Sequence, residues 1–503
     1  MERPQPSPVA AARAPGLAAL VAALVLAVPL AACKLGPDYV RPTVETPPEF
    51  REALASGQWK VADPADRAER GNWWSQYGDA QLDELEQRLD TANQDIVTAD
   101  SRFRQARALA QGARASYLPT VNADASVSRL RRSPNAYNNT SRIGTSVNDL
   151  SLGLDVTWEA DIWGRVRRSV ESREATAQAF AADLANLRLS LQAELAIDYF
   201  LLRSLDAERD LLERTLVAYR KSLELTTHRY EGGIASQADV SQAETQLNVT
   251  LAQAHDLGVQ RAELEHAIAV LVGEAPAKFA LAVAPFDPVV PDIPGLLPSA
   301  LLERRPDIAF AERQVASANA QIGVAKAAYY PTLTLGAAGG FQSTEGSNLL
   351  SLPSRFWSLG PAAMMTLFDG GRRKALNDQA QAAYDGSVSS YRQTVLVAFA
   401  DVEDNLAALR VLAEEAGLQD RAVDSSRRSL HHTTLRYEGG AVSYLDVAVS
   451  QSIALSIERT AVDIARRRKI ASIRLIKAVG GDWKATDLPT DQDLKAVRTS
   501  AAH

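Results

Sequence analysis

The single cysteine is the residue whose surroundings predict the most specific chemistry in this chain of 503 residues. Cys33 ends the sequence Leu-Ala-Ala-Cys at 30–33, which follows two basic residues, Arg3 and Arg13, and an apolar segment at 17–28. This order is typical of a bacterial lipoprotein signal peptide, here over 1–32. The cysteine sulfur would carry a diacylglycerol and the new N-terminus an acyl chain. An ordinary cleavage site beside an accidental cysteine is the alternative.

The residue after the cysteine and the overall composition narrow the location and the partners. An aspartate at this position commonly retains a lipoprotein at the inner membrane, so Lys34 indicates the outer membrane of a Gram-negative bacterium. Since there is no second cysteine, a disulfide is excluded. The formal net charge of -7, without a basic face, argues against a nucleic-acid partner.

Two carboxylates stand at equivalent places in a repeated motif. Arg-Tyr-Glu-Gly-Gly at 229–233 recurs at 436–440, an offset of 207 residues. A serine follows each copy, and three residues later come Asp239 and Asp446, which is the spacing of a helix capping box. The glycine pairs suit left-handed helix C-caps: Gly232, Gly233, Gly439 and Gly440. Each motif therefore predicts a sharp tip between two helices.

Enzyme chemistry finds no support in the sequence. There is no nucleophile constellation, no phosphate-binding glycine loop and no zinc-ligand spacing. His431 and His432 are adjacent, so a helix would direct them to different sides. We therefore expect neither an enzyme nor a metal site, and no cofactor beyond the lipid on Cys33.

The repeated tips belong to a duplicated unit, expected at 76–284 and again at 307–480. Each copy is predicted to run helix, β-hairpin, long helix, tip and returning helix. The hairpins are expected at 119–161 and 331–368, the long helices at 164–230 and 372–437, and the returning helices at 236–272 and 443–479. The remaining segments are a lipidated extended strap at 33–75, a Pro-rich connector with a short equatorial helix at 285–306, and a tail at 481–503.

The hairpin segments alternate between apolar and small polar residues. Val121 to Val127 and Leu150 to Trp158 show period two, and so do the segments around Leu333 and Leu359. Such segments of about ten residues are typical of transmembrane barrel strands, with an ordinary soluble hairpin as the alternative. Four strands cannot close a barrel, and open edges are not tolerated in lipid. An eight-stranded barrel is filled by side chains, so a conduit favours three chains or more.

The first long helix carries apolar residues at a mean spacing of 3.5 between Leu184 and Leu205, which is the coiled-coil period. At about 1.5 Å per residue each long helix would reach ~100 Å. Such helices must pack lengthwise. The predicted fold class is thus a mixed one, an α-helical coiled-coil barrel joined to a transmembrane β-barrel, with internal duplication.

The chain resembles the TolC-like outer membrane factor family, most closely its lipidated NodT/OprM-like branch. The resemblance rests on Gly-Pro-Asp-Tyr-Val-Arg-Pro at 36–42 and on the tryptophan pair at 73–74. It also rests on Leu-Leu-Glu-Arg-Arg-Pro-Asp at 301–307, Ile-Gly-Val-Ala at 322–325 and the two Arg-Tyr-Glu-Gly-Gly tips. It implies a homotrimer with a twelve-stranded barrel in outer membrane lipid and a long periplasmic α-helical tunnel. It also implies an efflux duct, served by a periplasmic adaptor and an inner-membrane pump, expected to be the proton-driven RND type. A protein-secretion duct and a coiled-coil spacer lipoprotein without a conduit are the alternatives.

The same resemblance assigns roles at the tips. Asp446 matches a position of an acidic ring in the closed periplasmic gate, and Leu445 matches a constricting leucine. Tyr437 and Asp239 match a pair that holds the closed state. Val449 replaces the acid of a second ring. The four tip glycines are the expected contacts of the adaptor, with turn geometry alone as the alternative for the glycines and helix capping alone for the two aspartates.

Overall fold

A computed structural model describes residues 34–52, 72–131, 146–291 and 302–495. The predicted signal peptide and Cys33 lie outside these residues, and so do parts of the strap, the connector and the C-terminal tail. Among the described residues, none of the helices combines the length and apolar character needed to cross a bilayer.

The elements follow the predicted order in both copies. The helices and strands are α1 Ala80–Ala92, α2 Gln94–Ala115, β1 Thr120–Arg131, β2 Ser146–Glu159, α3 Arg165–Glu231, α4 Gln237–Leu271, α5 Pro306–Ala327, β3 Thr332–Ser343, β4 Arg355–Met364, α6 Arg372–Glu438, α7 Tyr444–Ala478 and the short α8 Asp491–Lys495.

The duplication is visible in helix lengths. The long helices α3 and α6 each have 67 residues, and the returning helices α4 and α7 each have 35. Their ends differ from the predicted ones by at most one residue, which is within the usual scatter of helix assignment. Of the expected equatorial helix, residues 302–304 are helical, and 292–301 lie outside the described residues.

The four strands form one antiparallel sheet in the order β1-β2-β3-β4. Val121 pairs with Val156 and Ala337 with Leu359, so the predicted apolar faces coincide across the sheet. This face is open to the surroundings: Val127 is 81% exposed and Leu359 76%. The sheet confirms the predicted strands, although β4 ends at Met364 and the apolar residues that follow it lie beyond the strand.

The chain divides into two compact units. Of the described residues, one comprises 34–40, 107–131, 146–175 and 315–386 and contains the sheet with the adjoining helix ends. The other comprises 41–52, 72–106, 176–291, 302–314 and 387–495. Its core gathers Trp73 and Trp74 with Leu82, Leu195 and Leu202, all nearly inaccessible to solvent.

Candidate functional site: the helical tips and the N-terminal strap

Both tips are built by the same backbone turn. Gly233 and Gly440 have φ of +73°, the left-handed conformation that favours glycine. The Ile234 amide donates to the Arg229 carbonyl and the Ala441 amide to the Arg436 carbonyl, each at 2.8 Å. These are the bonds of a Schellman motif. The first glycine of each pair is not left-handed, so the predicted C-cap is confirmed at the second glycine only.

The two aspartates cap the helices that leave the tips. The Asp239 carboxylate accepts from the Ser236 amide at 2.9 Å and from its hydroxyl at 2.8 Å. The Asp446 carboxylate accepts from the same groups of Ser443, at 3.1 and 2.8 Å. The predicted capping boxes are therefore present in both copies. Asp446 and Leu445 are exposed, and Leu445 is 52% accessible.

The second tip has an apolar cluster under its turn. Tyr437 and Tyr444 are 5% and 1% exposed, and their rings meet edge to face at 5.7 Å. They pack with Ala243, Val447 and Ala448. Burial raises the pKa of the Tyr444 hydroxyl to about 12, and the neighbouring Tyr219 and Tyr437 add to the rise.

Arg229 of the first tip reaches across to the second. Its guanidinium donates to the carbonyl oxygens of Tyr437 at 2.6 Å and Glu438 at 2.9 Å, the last residues of α6. It also lies 4.5 Å from the centroid of the Tyr437 ring. A cation at a helix C-terminus satisfies free carbonyls and the helix dipole together. Sequence reasoning missed this role, although Arg229 lies in the repeated motif.

The expected pairing of Tyr437 with Asp239 is not what this structure contains. The Tyr437 hydroxyl lies 3.0 Å from the hydroxyl of buried Thr226, and the Asp239 carboxylate is occupied by Ser236. At the tips the structure thus brings Tyr437 to Thr226 and Arg229 instead.

The histidines and acids of the tips do not gather into a metal site. His431 and His432 are exposed, with ring centroids 5.7 Å apart. Within the described ranges, no three side chains of His, Cys, Asp or Glu come together as metal ligands would.

The strap directly after Cys33 is fixed to the sheet-bearing unit. Arg168 is fully buried and donates to the carbonyls of Leu35 at 3.0 Å and Gly36 at 3.1 Å. Gly36 has φ +90°, and a Cβ on it would lie 2.6 Å from the Cα of Gly323. The Lys34 ammonium lies 2.9 Å from the Glu171 carboxylate. The chain is therefore held in place at residues 34–36.

Aromatic side chains surround the same place. The Leu35 amide donates to the Trp163 carbonyl at 3.3 Å. Trp163 stacks on Tyr330 at 4.8 Å between ring centroids and donates its indole N–H to the Pro331 carbonyl at 2.8 Å. Residue 331 directly precedes β3, so the strap begins beside the base of the strands. Tryptophan and tyrosine favour the interface between lipid and water.

The sequence profile described as "Outer membrane efflux protein" matches residues 85–274 and 297–481. Among curated proteins, the pyoverdine export outer membrane protein OpmQ of Pseudomonas aeruginosa is 31% identical over 447 residues, 88% of this chain and 94% of that protein. The toluene efflux pump outer membrane protein TtgI of Pseudomonas putida is 30% identical, covering 91% and 97%. The solved outer-membrane channel OprN superposes with a TM-score of 0.82 at 30% identity, covering 89% of this chain and 99% of that one.

Proposed function

The chain belongs to the outer membrane efflux protein family, and from this premise we propose that it is the outer membrane duct of a tripartite small-molecule efflux system. The observation that carries the proposal is the pairing of a four-stranded sheet with duplicated long helical hairpins that end in capped tips. Relatives named for pyoverdine, toluene and solvents support a small-molecule cargo rather than a protein. A spacer lipoprotein would need no such sheet.

The working duct is a homotrimer. In this chain β1 and β4 each have one hydrogen-bonded neighbour within the sheet, so both carry an unpaired edge. Lipid does not tolerate open sheet edges. Pairing β4 of one copy with β1 of the next closes the barrel, and three copies of four strands give about twelve strands, enough for an open lumen. In a planar bilayer this trimer should conduct ions, and a non-conducting trimer would support the spacer alternative.

The partners are a periplasmic adaptor, which meets the tips, and an inner-membrane pump that is driven by protons. Gly440→Trp is expected to abolish efflux while trimers still form. A Cβ on Gly440 meets nothing within 4 Å, so the indole would project from the tip and block the adaptor. Each variant is expressed in a strain that lacks its own duct, and efflux is measured as the minimum inhibitory concentration of an exported compound for that strain.

Gly440→Ala is the matched control for this experiment. It carries the same left-handed strain, about 1–2 kcal/mol, but not the bulk. If the alanine variant loses efflux as completely as the tryptophan variant, turn geometry explains the effect and adaptor docking does not.

The gate lies mainly on the second tip, where Asp446 and Leu445 are exposed. Three Asp446 carboxylates that converge on the axis would bind divalent cations and narrow the closed end. Asp446→Ala should therefore raise single-channel conductance and weaken block by divalent cations. Asp239→Ala removes the equivalent capping box from the first tip and should leave that block in place. An unaltered block in Asp446→Ala would remove the role of Asp446 in the gate.

The lipid on Cys33 anchors the N-terminus in the outer membrane. The support is the start of the strap, where residues 34–36 are held by side chains of the sheet-bearing unit, beside Trp163 and Tyr330. Cys33→Ser is expected to lose all incorporation of labelled palmitate, because the thioether and the N-acylation that follows it both require the cysteine. Lys34→Ala keeps the cysteine and should keep the label. Palmitate labelling of Cys33→Ser at the level of the unaltered protein would refute lipidation.

A further inference from the structure

The two tips contain the same four residues but use them differently. Thr226, Arg229, Tyr230 and Glu231 of the first copy correspond, 207 residues later, to Thr433, Arg436, Tyr437 and Glu438. In this chain the threonine and arginine of the first copy bind the tyrosine and glutamate of the second. We call this set of contacts the intrachain joint.

With the two copies exchanged, the equivalent contacts would join Arg436 and Thr433 to Tyr230 and Glu231. Arg436 is exposed, and its guanidinium has no hydrogen-bond partner within the part of the chain that the structure describes. Tyr230 is 44% exposed, whereas its duplicate Tyr437 is buried. A ring of alternating first and second tips needs a contact from each second tip to the next first tip, and that first tip belongs to another copy of the chain.

We propose that Arg436 of one copy caps the C-terminus of α3 in the neighbouring copy. Its guanidinium donates to the carbonyl oxygens of Tyr230 and Glu231 of that copy and lies over the Tyr230 ring. The Tyr230 hydroxyl then meets Thr433 across the interface. This interchain joint repeats the observed contacts of Arg229, and it rests on the homotrimer of the proposed function.

The interchain joint is the more polar of the two. The apolar cluster around the intrachain joint contains Tyr437, Tyr444, Val447, Ala448 and Ala243. Tyr230 and Val240 duplicate Tyr437 and Val447, but Gln237, Ser241 and Ser450 stand at the positions equivalent to Tyr444, Ala448 and Ala243. Less apolar surface is thus buried when the interchain joint closes, so it is stabilised less than the intrachain joint. The duct therefore opens at its interchain joints while the two tips of each chain stay together.

Paired cysteines test the joint. Tyr230→Cys with Thr433→Cys probes the interchain joint, and Thr226→Cys with Tyr437→Cys is the matched intrachain pair. Outer membrane vesicles are treated with a short bis-maleimide and run on a denaturing gel, with the unaltered chain as the background for Cys33. The interchain pair should give covalent dimers and trimers, and the intrachain pair only monomers.

The native mass of the untreated variants separates this proposal from the proposed function. Trimers whose interchain pair gives only monomers after cross-linking would overturn the joint and leave the duct intact. Cross-linking the interchain pair should also abolish efflux, whereas cross-linking the intrachain pair should not. Equal loss of efflux in both would overturn opening at the interchain joints.

A single substitution serves as a second test where a cysteine pair does not fold. Arg436→Ala should lower the temperature at which detergent-solubilised trimers dissociate. Arg421→Ala removes another exposed arginine of α6 and should leave it unchanged. Equal dissociation temperatures for the two variants would overturn the role of Arg436.

Discussion

Replacing Gly480 with valine is expected to abolish accumulation of the folded protein. Gly480 follows the end of α7 with φ +93°, a conformation that costs a β-branched residue well over the roughly 1–2 kcal/mol typical of L-residues. A Cβ there would overlap the Arg304 carbonyl oxygen and lie 2.7 Å from the carbonyl carbon. Because the obstacle is backbone, no rotamer relieves it. The Gly480 and Gly481 amides also close the Schellman turn onto the Lys477 and Ile476 carbonyls, at 2.9 Å each.

The measurement is the amount of heat-dissociable trimer in outer membranes, with Gly417→Ala as the control. Gly417 lies inside α6, and a Cβ on it would meet nothing within 4 Å. Alanine there should stabilise the helix by about 1 kcal/mol. Trimers of Gly480→Val at the unaltered level and dissociation temperature would show that the Arg304 segment can move aside.

The 207-residue repeat shows how much of the packing around Gly480 could be predicted from the sequence. Gly273 and Gly480 occupy equivalent positions in the two copies, since 207 residues separate them. A Cβ on Gly273 would lie 2.5 Å from the Ala92 carbonyl oxygen. In both copies, therefore, the glycine after the returning helix packs directly against the backbone of another segment. The offset predicts a turn, but the segment packed against it is distant in sequence and leaves no periodic signal.

The tips show the same division between local and tertiary information. Capping boxes and glycine turns depend on residues a few positions apart, so the sequence predicted them and the structure contains them. The contacts of Arg229 depend on which neighbour each copy faces. A symmetric motif cannot encode that choice. The family resemblance paired Tyr437 with Asp239, whereas in this structure the Tyr437 hydroxyl lies beside that of Thr226.

Neutralising Asp206 is expected to lower the free energy of unfolding by about 3–5 kcal/mol, because it leaves a buried cation without a counter-charge. Asp206 lies in the compact unit whose core contains Trp73 and Trp74. Arg203 is 1% exposed and Asp206 3%. The Asp206 carboxylate accepts from Arg203 at 2.9 Å and from Arg261 at 2.8 Å. Arg203 also donates to the Ala282 carbonyl at 2.8 Å, which joins α3 to the segment after α4. Asp206→Asn keeps the shape and removes only the charge.

The control is Asp210→Asn, which breaks an exposed ion pair with Arg214 on the same helix and should change the free energy of unfolding by less than about 1 kcal/mol. The decisive variant combines Asp206→Asn with Arg203→Met and so removes both charges of the buried pair. Since a buried ion pair contributes little over apolar groups of similar size, the double variant should recover part of the lost stability. Thermal unfolding of the four proteins measures this. If the double variant unfolds at a lower temperature than Asp206→Asn alone, the uncompensated charge is not the cause, and the hydrogen bond from Arg203 to Ala282 carries the stabilisation instead.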